Sequence, residues 1–270
     1  MNREANESGD EQTIAPSSPE GRVAVAVMCR APIAGRCKTR LTPPLSAEEA
    51  AALSRGFIAD VAALVHGLPS SLGATGFAVT TPADNDGAFD GLFPNGFDRL
   101  VQRGDDLGAR CVNAIADLFA QKFAAVCLLG ADAPTLPVET LEAAVDLLRQ
   151  PGDRVVLGPA LDGGYYLIGV RRPCPELFRD IPWSTSRVRT ETEARAAELA
   201  LPVALLPLWY DVDDGHSFIW LLEELRGKGR APAPTTLPGS TARATRQYLE
   251  ALCCRGDGPP LEHPKSSLFD

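Results

Sequence analysis

Two acidic clusters stand at the ends of apolar runs. Asp132 lies in Gly130-Ala131-Asp132-Ala133-Pro134, directly after the run 124–129. The second cluster is Tyr210-Asp211-Val212-Asp213-Asp214, after the apolar stretch 202–209. A short Val/Leu-rich run closed by glycine reads as a strand buried on both faces of a parallel sheet. In open α/β sheets, ligands bind beyond the carboxyl ends of the strands. Carboxylates at that edge suit Mg²⁺ or Mn²⁺, hard cations that choose oxygen ligands, and hence a phosphate-bearing substrate. An Asp before Pro-Thr-Leu-Pro fits a helix cap equally well, so the first cluster alone leaves both readings open. Two clusters at two strand ends are harder to explain as caps than one. His216 reads as a neighbour of a cap, and no other histidine stands near it to make a local metal box.

A basic loop follows the first apolar run. In Arg30-Ala-Pro-Ile-Ala-Gly35-Arg36-Cys-Lys38-Thr-Arg40, four cations fall within eleven residues of a chain whose net charge is −9. A solvated basic turn is the weaker reading in so acidic a protein. Gly35 lets the backbone approach a phosphate, and Arg30, Lys38 and Arg40 neutralise its charge. The spacing is not that of a Walker loop. Further on, Gly104 and Gly108 flank Asp105-Asp106-Leu107. This turn is a candidate nucleoside contact through Gln102 and Gly108, with a plain capped helix start as an equal competitor. Asp162-Gly163-Gly164 fits a hairpin turn. The run 165–170 is too apolar for an isolated edge hairpin, and the glycine pair lets a substrate pass close to the backbone. Trp183 in its polar loop suits an acceptor-pocket wall or a packing anchor.

These residues need a scaffold of alternating strands and helices, which predicts an α/β fold, three-layer α/β/α around a mainly parallel sheet. Ser46-Ala-Glu-Glu49 is a capping box opening a helix whose apolar residues recur at helical spacing to Gly67. Residues 1–21, polar and rich in Ser, Glu and Pro, are expected to be a disordered extension. The transferase domain is expected over 22–226, a Gly/Pro linker over 227–240, and a last helix with a disordered tail over 241–270. The acidic balance, with pI ≈ 4.9, gives no bulk footprint for nucleic acid. The seven scattered cysteines include no CxxC pair and read as reduced thiols, and Cys253-Cys254 stands without an interpretation. With no apolar run near the roughly 18 residues of a membrane span, and no signal pattern at the N-terminus, the expected location is the cytoplasm.

Five ordered stretches carry a resemblance: Arg30 to Leu41, GADAPTLP, GPALDGGYYLIG, WSTS at Trp183 and YDVDD at Tyr210. Together, over 23–224, they resemble the DUF2064 family, which has the glycosyltransferase A (GT-A) fold and whose members are usually labelled glycosyltransferases. Lys38-Thr-Arg-Leu41 is also similar to the phosphate loop of phospholactate guanylyltransferases, and the wider fold is shared with molybdenum-cofactor guanylyltransferases. The resemblance implies a metal-bound nucleotide at the carboxyl edge, with Asp132 matching the metal carboxylate of a DxD-like segment and Asp213 the second one. Two departures stand out. Arg30 replaces a common Lys and keeps its charge. Asp214 replaces a Thr and could offer a further ligand.

The expected function is metal-dependent transfer from a nucleotide-activated donor, with a nucleotide sugar first and a small-molecule acceptor. Nucleotidyl transfer from a triphosphate and a catalytically silent nucleotide-binding protein are the alternatives. Asp132, Asp162 and Lys38 are the catalytic candidates, with Asp162 as base. Gly163, Gly164, Tyr165 and Trp183 are the acceptor candidates.

Overall fold

The computed structural model describes residues 21–82, 86–227 and 232–254. Of the extension expected over 1–21, residues 1–20 lie outside the described residues, as does the part of the expected tail after 254.

Seven strands form one sheet: β1 (Val23–Cys29), β2 (Ala74–Thr80), β3 (Asp98–Val101), β4 (Ala125–Gly130), β5 (Val155–Pro159), β6 (Tyr165–Val170) and β7 (Val203–Leu205). Their order is β3-β2-β1-β4-β6-β5-β7. The helices are α1 (Ala47–His66), α2 (Leu107–Ala120), α3 (Val138–Arg149), α4 (Val188–Glu198), α5 (Gly215–Leu225) and α6 (Arg243–Cys254). β1 and β4 are buried on both faces because their side chains alternate between two helical layers. Val23, Val25 and Val27 face Leu53 and Phe57 of α1, with Leu141, Phe218 and Leu249 from α3, α5 and α6 in the same layer. Ala24 and Ala26 face Ile115 and Leu118 of α2, with Ala196 of α4.

All pairings are parallel except those of β6, which runs antiparallel to both β4 and β5. β5 and β6 are therefore a hairpin, as Asp162-Gly163-Gly164 suggests. It lies inside the sheet rather than at its edge, which is why 165–170 is so apolar. The capping box of α1 forms as expected: Ser46 Oγ accepts from Glu49 N at 3.1 Å, and Glu49 Oε2 accepts from Ser46 N at 2.7 Å.

Two expectations need correction. The last strand, expected over 202–209, is regular only over Val203–Leu205 and resumes as a single bridge between Ala160 and Trp209. Pro207 has no N–H to continue the ladder. The stretch expected as a linker is packed onto the domain where it is described. Ala233 is buried, and Ser240 donates from N to Thr135 O at 2.9 Å and from Oγ to Pro134 O at 2.8 Å. Just beyond it, α6 lies along α1. Asp60 of α1 accepts from Ala244 N at 2.7 Å and Thr245 N at 2.8 Å, satisfying two amides at the start of α6. Gly56 gives room for this approach, since a Cβ there would stand 3.1 Å from Thr245 Cα. Gly/Pro content marks a flexible composition but says nothing of the hydrogen bonds these residues find. All seven cysteines are free, with Cys253 and Cys254 exposed. Among the described residues no helix is long and apolar enough to cross a membrane.

Candidate functional site

The ends of β4 and of the segment after β7 meet through the backbone. Val212 N donates to Asp132 O at 2.8 Å, setting the two acidic stretches side by side at the carboxyl edge. Between them lies Lys38. Its Nζ is 2.7 Å from Asp132 Oδ1 and 2.7 Å from Asp213 Oδ1, and it donates to Val212 O at 2.8 Å. These contacts use the three donors an ammonium has. The Lys38 side chain is 7% exposed, whereas Asp132 and Asp213 are 44% and 36% exposed. Burial works against the Lys38 charge, but the two carboxylates outweigh it and hold the ammonium above its usual range. The Lys38 backbone is left-handed, at φ 46 and ψ 37, immediately before the single helical turn Thr39–Leu41. Arg40, 73% exposed, reaches within 3.7 Å of Asp213 Oδ2. A cavity of about 210 Å³ opens over this cluster, lined among others by Arg30, Lys38, Arg40, Asp132 and Asp213.

Neither Asp132 nor Asp213 is a helix cap. The residue before α3 is Pro137, with no side-chain cap. The residue that caps α5 is Asp214, whose Oδ1 accepts from Ser217 N at 2.9 Å. That bond, with help from the Ser217 hydroxyl, holds the Asp214 carboxyl below its ordinary range. The extra carboxylate considered above as a further ligand is therefore committed to the helix.

Asp211 was not singled out from sequence. It is half-buried, and this burial together with the charges of Asp162, Asp213 and Asp132 pushes its carboxyl up to about 7. The one available signal is its spacing, since residues two apart in an extended stretch share a face.

The structure separates several other candidates from the cavity. Gln102 is buried and gives its amide to Cys29 O at 3.2 Å and Val79 O at 2.8 Å, tying the ends of β1 and β2 together. Gly108 is buried in the first turn of α2, where a Cβ would stand 2.8 Å from Trp183 Nε1. It makes room for Trp183, which packs edge-on against Tyr165 with centroids 6.5 Å apart. Trp183 and Tyr165 belong to the layer of α2 and α4, so their contact is a packing anchor. Gly35 is exposed in a turn closed by Arg36 N to Ile33 O at 2.9 Å.

The turn 162–164 and the loop 183–186 are brought together. Gly163 has φ +88, and a Cβ on it would stand 2.2 Å from Ser186 O. Asp162 Oδ1 accepts from Gly164 N at 2.7 Å, and its charge is felt at Asp211.

Among the described residues no group of three or more His, Cys, Asp or Glu side chains could cage a metal. Mg²⁺, however, is commonly held by one or two carboxylates plus substrate phosphates. Asp132 and Asp213 match that donor set: both border the cavity, and both already share one cation.

Residues 70–185 match the family model DUF2064, described as an uncharacterized protein conserved in bacteria. The chain is similar to the crystal structure of a protein from Desulfovibrio desulfuricans G20 assigned as a nucleotide-diphospho-sugar transferase. The identity is 30% and the TM-score 0.69, over 87% of this chain and 98% of that one. It is also similar to CMP:2-keto-3-deoxy-manno-octonic acid synthetase complexed with CTP, at 12% identity and a TM-score of 0.50, over 76% of this chain and 97% of that one. The latter is a likeness of fold. The chain matches no curated protein.

Proposed function

This chain belongs to the DUF2064 family and has the fold of the nucleotide-diphospho-sugar transferases, and on that footing we propose that it transfers a sugar from a nucleotide sugar to a small-molecule acceptor. The observation that carries this reading is the convergence of Asp132 and Asp213 on one cation beneath a cavity at the carboxyl edge of the sheet. That edge is where open α/β sheets bind their ligands.

In this reading the donor diphosphate enters the cavity, and Arg30 and Arg40 neutralise its oxygens. Asp132 and Asp213 would hold Mg²⁺ or Mn²⁺, which supplies Lewis-acid neutralisation of the leaving diphosphate. The acceptor approaches from the turn 162–164, which Gly163 lets pack directly against the backbone of Ser186. Asp162, exposed on that turn, takes the acceptor proton. Gln102, Gly108, Tyr165 and Trp183 hold the surrounding loops in place.

The rival reading, nucleotidyl transfer, drew its support from a cation-rich first loop. Lys38 has its charge matched by two carboxylates. In the ligand-free protein this leaves the loop one cation fewer for a triphosphate. The released product separates the two. Nucleoside diphosphate should appear from a nucleotide sugar when acceptor is present. Pyrophosphate from a nucleoside triphosphate would overturn the sugar reading. Asp132→Asn should lose metal-dependent nucleotide binding while melting like the wild type. Unchanged binding of nucleotide and Mn²⁺ by that variant would show the metal assignment to be wrong.

A further inference from the structure

We propose that Lys38 is a tethered counter-cation: its ammonium fills the position between the two acidic stretches until a divalent cation displaces it, a step that a donor phosphate assists by taking the ammonium as its partner. The inference rests on the reading of Asp132 and Asp213 as metal carboxylates and adds a coupling between metal and donor.

Lys38 touches the same two oxygens, Asp132 Oδ1 and Asp213 Oδ1, that face each other across the cluster, at 2.7 Å each. Its third bond, to Val212 O, fixes it to the segment whose amide binds Asp132 O. One ammonium therefore ties together the loop after β1, the loop after β4 and the segment after β7. A divalent ion cannot take those oxygens while an ammonium sits on them at hydrogen-bond distance, because the two cations repel at that range.

Moving the ammonium out of its nearly buried place strips it of three partners, which makes displacement by the metal alone costly, and a new anion that replaces them lowers that cost. Lysine can make the exchange, since a compact ammonium on a flexible four-carbon stem re-aims readily. The same cavity that exposes Asp132 and Asp213 also has Lys38, Thr39 and Arg40 in its wall, so a donor phosphate bound there offers the new partner. Metal and donor must then favour each other's binding. By linkage, each raises the other's affinity by the same factor. In the ligand-free state the same ammonium screens the Asp132 and Asp213 charges from each other. The site stays assembled yet holds metal weakly.

The test uses the full chain and Mn²⁺ alone as probe, with bound ion read by loss of the free-ion spin-resonance signal. Wild type should bind Mn²⁺ alone at least ten-fold more weakly than Lys38→Met. Equal affinities would overturn the inference. A second measurement needs no variant. A water-soluble amine-acylating ester, mapped by mass spectrometry, should label Lys38 far more slowly than the exposed Lys122. Saturating Mn²⁺ should raise Lys38 labelling several-fold and leave Lys122 unchanged. Lys38 labelling unchanged under saturating Mn²⁺ would likewise overturn it, and this result decides if Lys38→Met fails to fold. Metal-dependent nucleotide binding that persists alongside either negative result would leave the transferase reading standing. Failure of both proteins to bind Mn²⁺, with or without a nucleoside diphosphate, would refute that reading and this inference with it.

Discussion

Gly163→Ala tests whether the turn 162–164 belongs to the acceptor side alone. The new methyl group would stand 2.2 Å from Ser186 O and 2.8 Å from both Ser186 C and Cα. These are backbone atoms and cannot rotate aside. The loop around Ser186 must retreat by on the order of 1 Å, a displacement that costs about 10²-fold in rate when it misplaces a reacting pair. The backbone adds its own penalty, since alanine at φ +88 costs about 1 kcal/mol relative to glycine. Stability should fall by about 1–3 kcal/mol in total. The donor half is held elsewhere, by Val212 N on Asp132 O and by Lys38. Nucleotide affinity should therefore stay within about two-fold of wild type, while single-turnover transfer to acceptor falls by about two orders of magnitude. Denaturant unfolding, equilibrium nucleotide binding and rapid-quench transfer give the three numbers. Transfer at the full rate would refute the reasoning, and so would a loss of nucleotide affinity as large as the loss of rate.

Asp60→Ala should strip both amide caps from α6 and lower stability by about 1–2 kcal/mol in urea unfolding, with nucleotide affinity unchanged. Asp214→Ala should cost about 1 kcal/mol at neutral pH through loss of the α5 cap. The native Asp214 carboxyl is held below its ordinary value of 3.8, so the unfolded chain binds more protons in that window. The stabilisation is complete above the unfolded value and is lost as pH falls through the native one. The gap between wild type and Asp214→Ala, measured by denaturant unfolding from pH 7 downward, should therefore narrow below about pH 4. A gap that widened on acidification would refute the cap assignment.

Local features of this fold are plain in the sequence, and features made by distant contacts are not. The α1 capping box can be read from four residues because all its partners lie within one turn. The strands β1 and β4 can be read because burial on both faces leaves uninterrupted apolar runs. The antiparallel run of β6 is hidden: a hairpin signal and a buried-strand signal occur together there, and only the neighbouring β4 reconciles them. In the acidic stretch 211–214, which carboxylate caps α5 and which face the cavity depends on where the chain turns, and composition cannot decide it. The bond from Lys38 to Asp213 spans 175 residues and has no local trace. Gln102 and Gly108 illustrate the converse. Both residue types suit ligand contact, but a buried amide between two strand ends and a bare Cα under an indole satisfy packing first.

The reversal of β6 has an evolutionary consequence. A strand returned antiparallel within a parallel sheet brings its turn to the same edge as the crossover loops, but with no helix in the return path. On the donor side, adding a residue to a crossover loop shifts the docking of the helix behind it. The turn between β5 and β6 can grow or shrink at little more than the cost of loop closure, which rises by about 0.6 kcal/mol per doubling of length. Its contact with Ser186 is the constraint, because turn and loop meet backbone to backbone at Gly163. Relatives that accept different molecules should therefore vary these two segments as a matched pair, over a donor socket that keeps its shape.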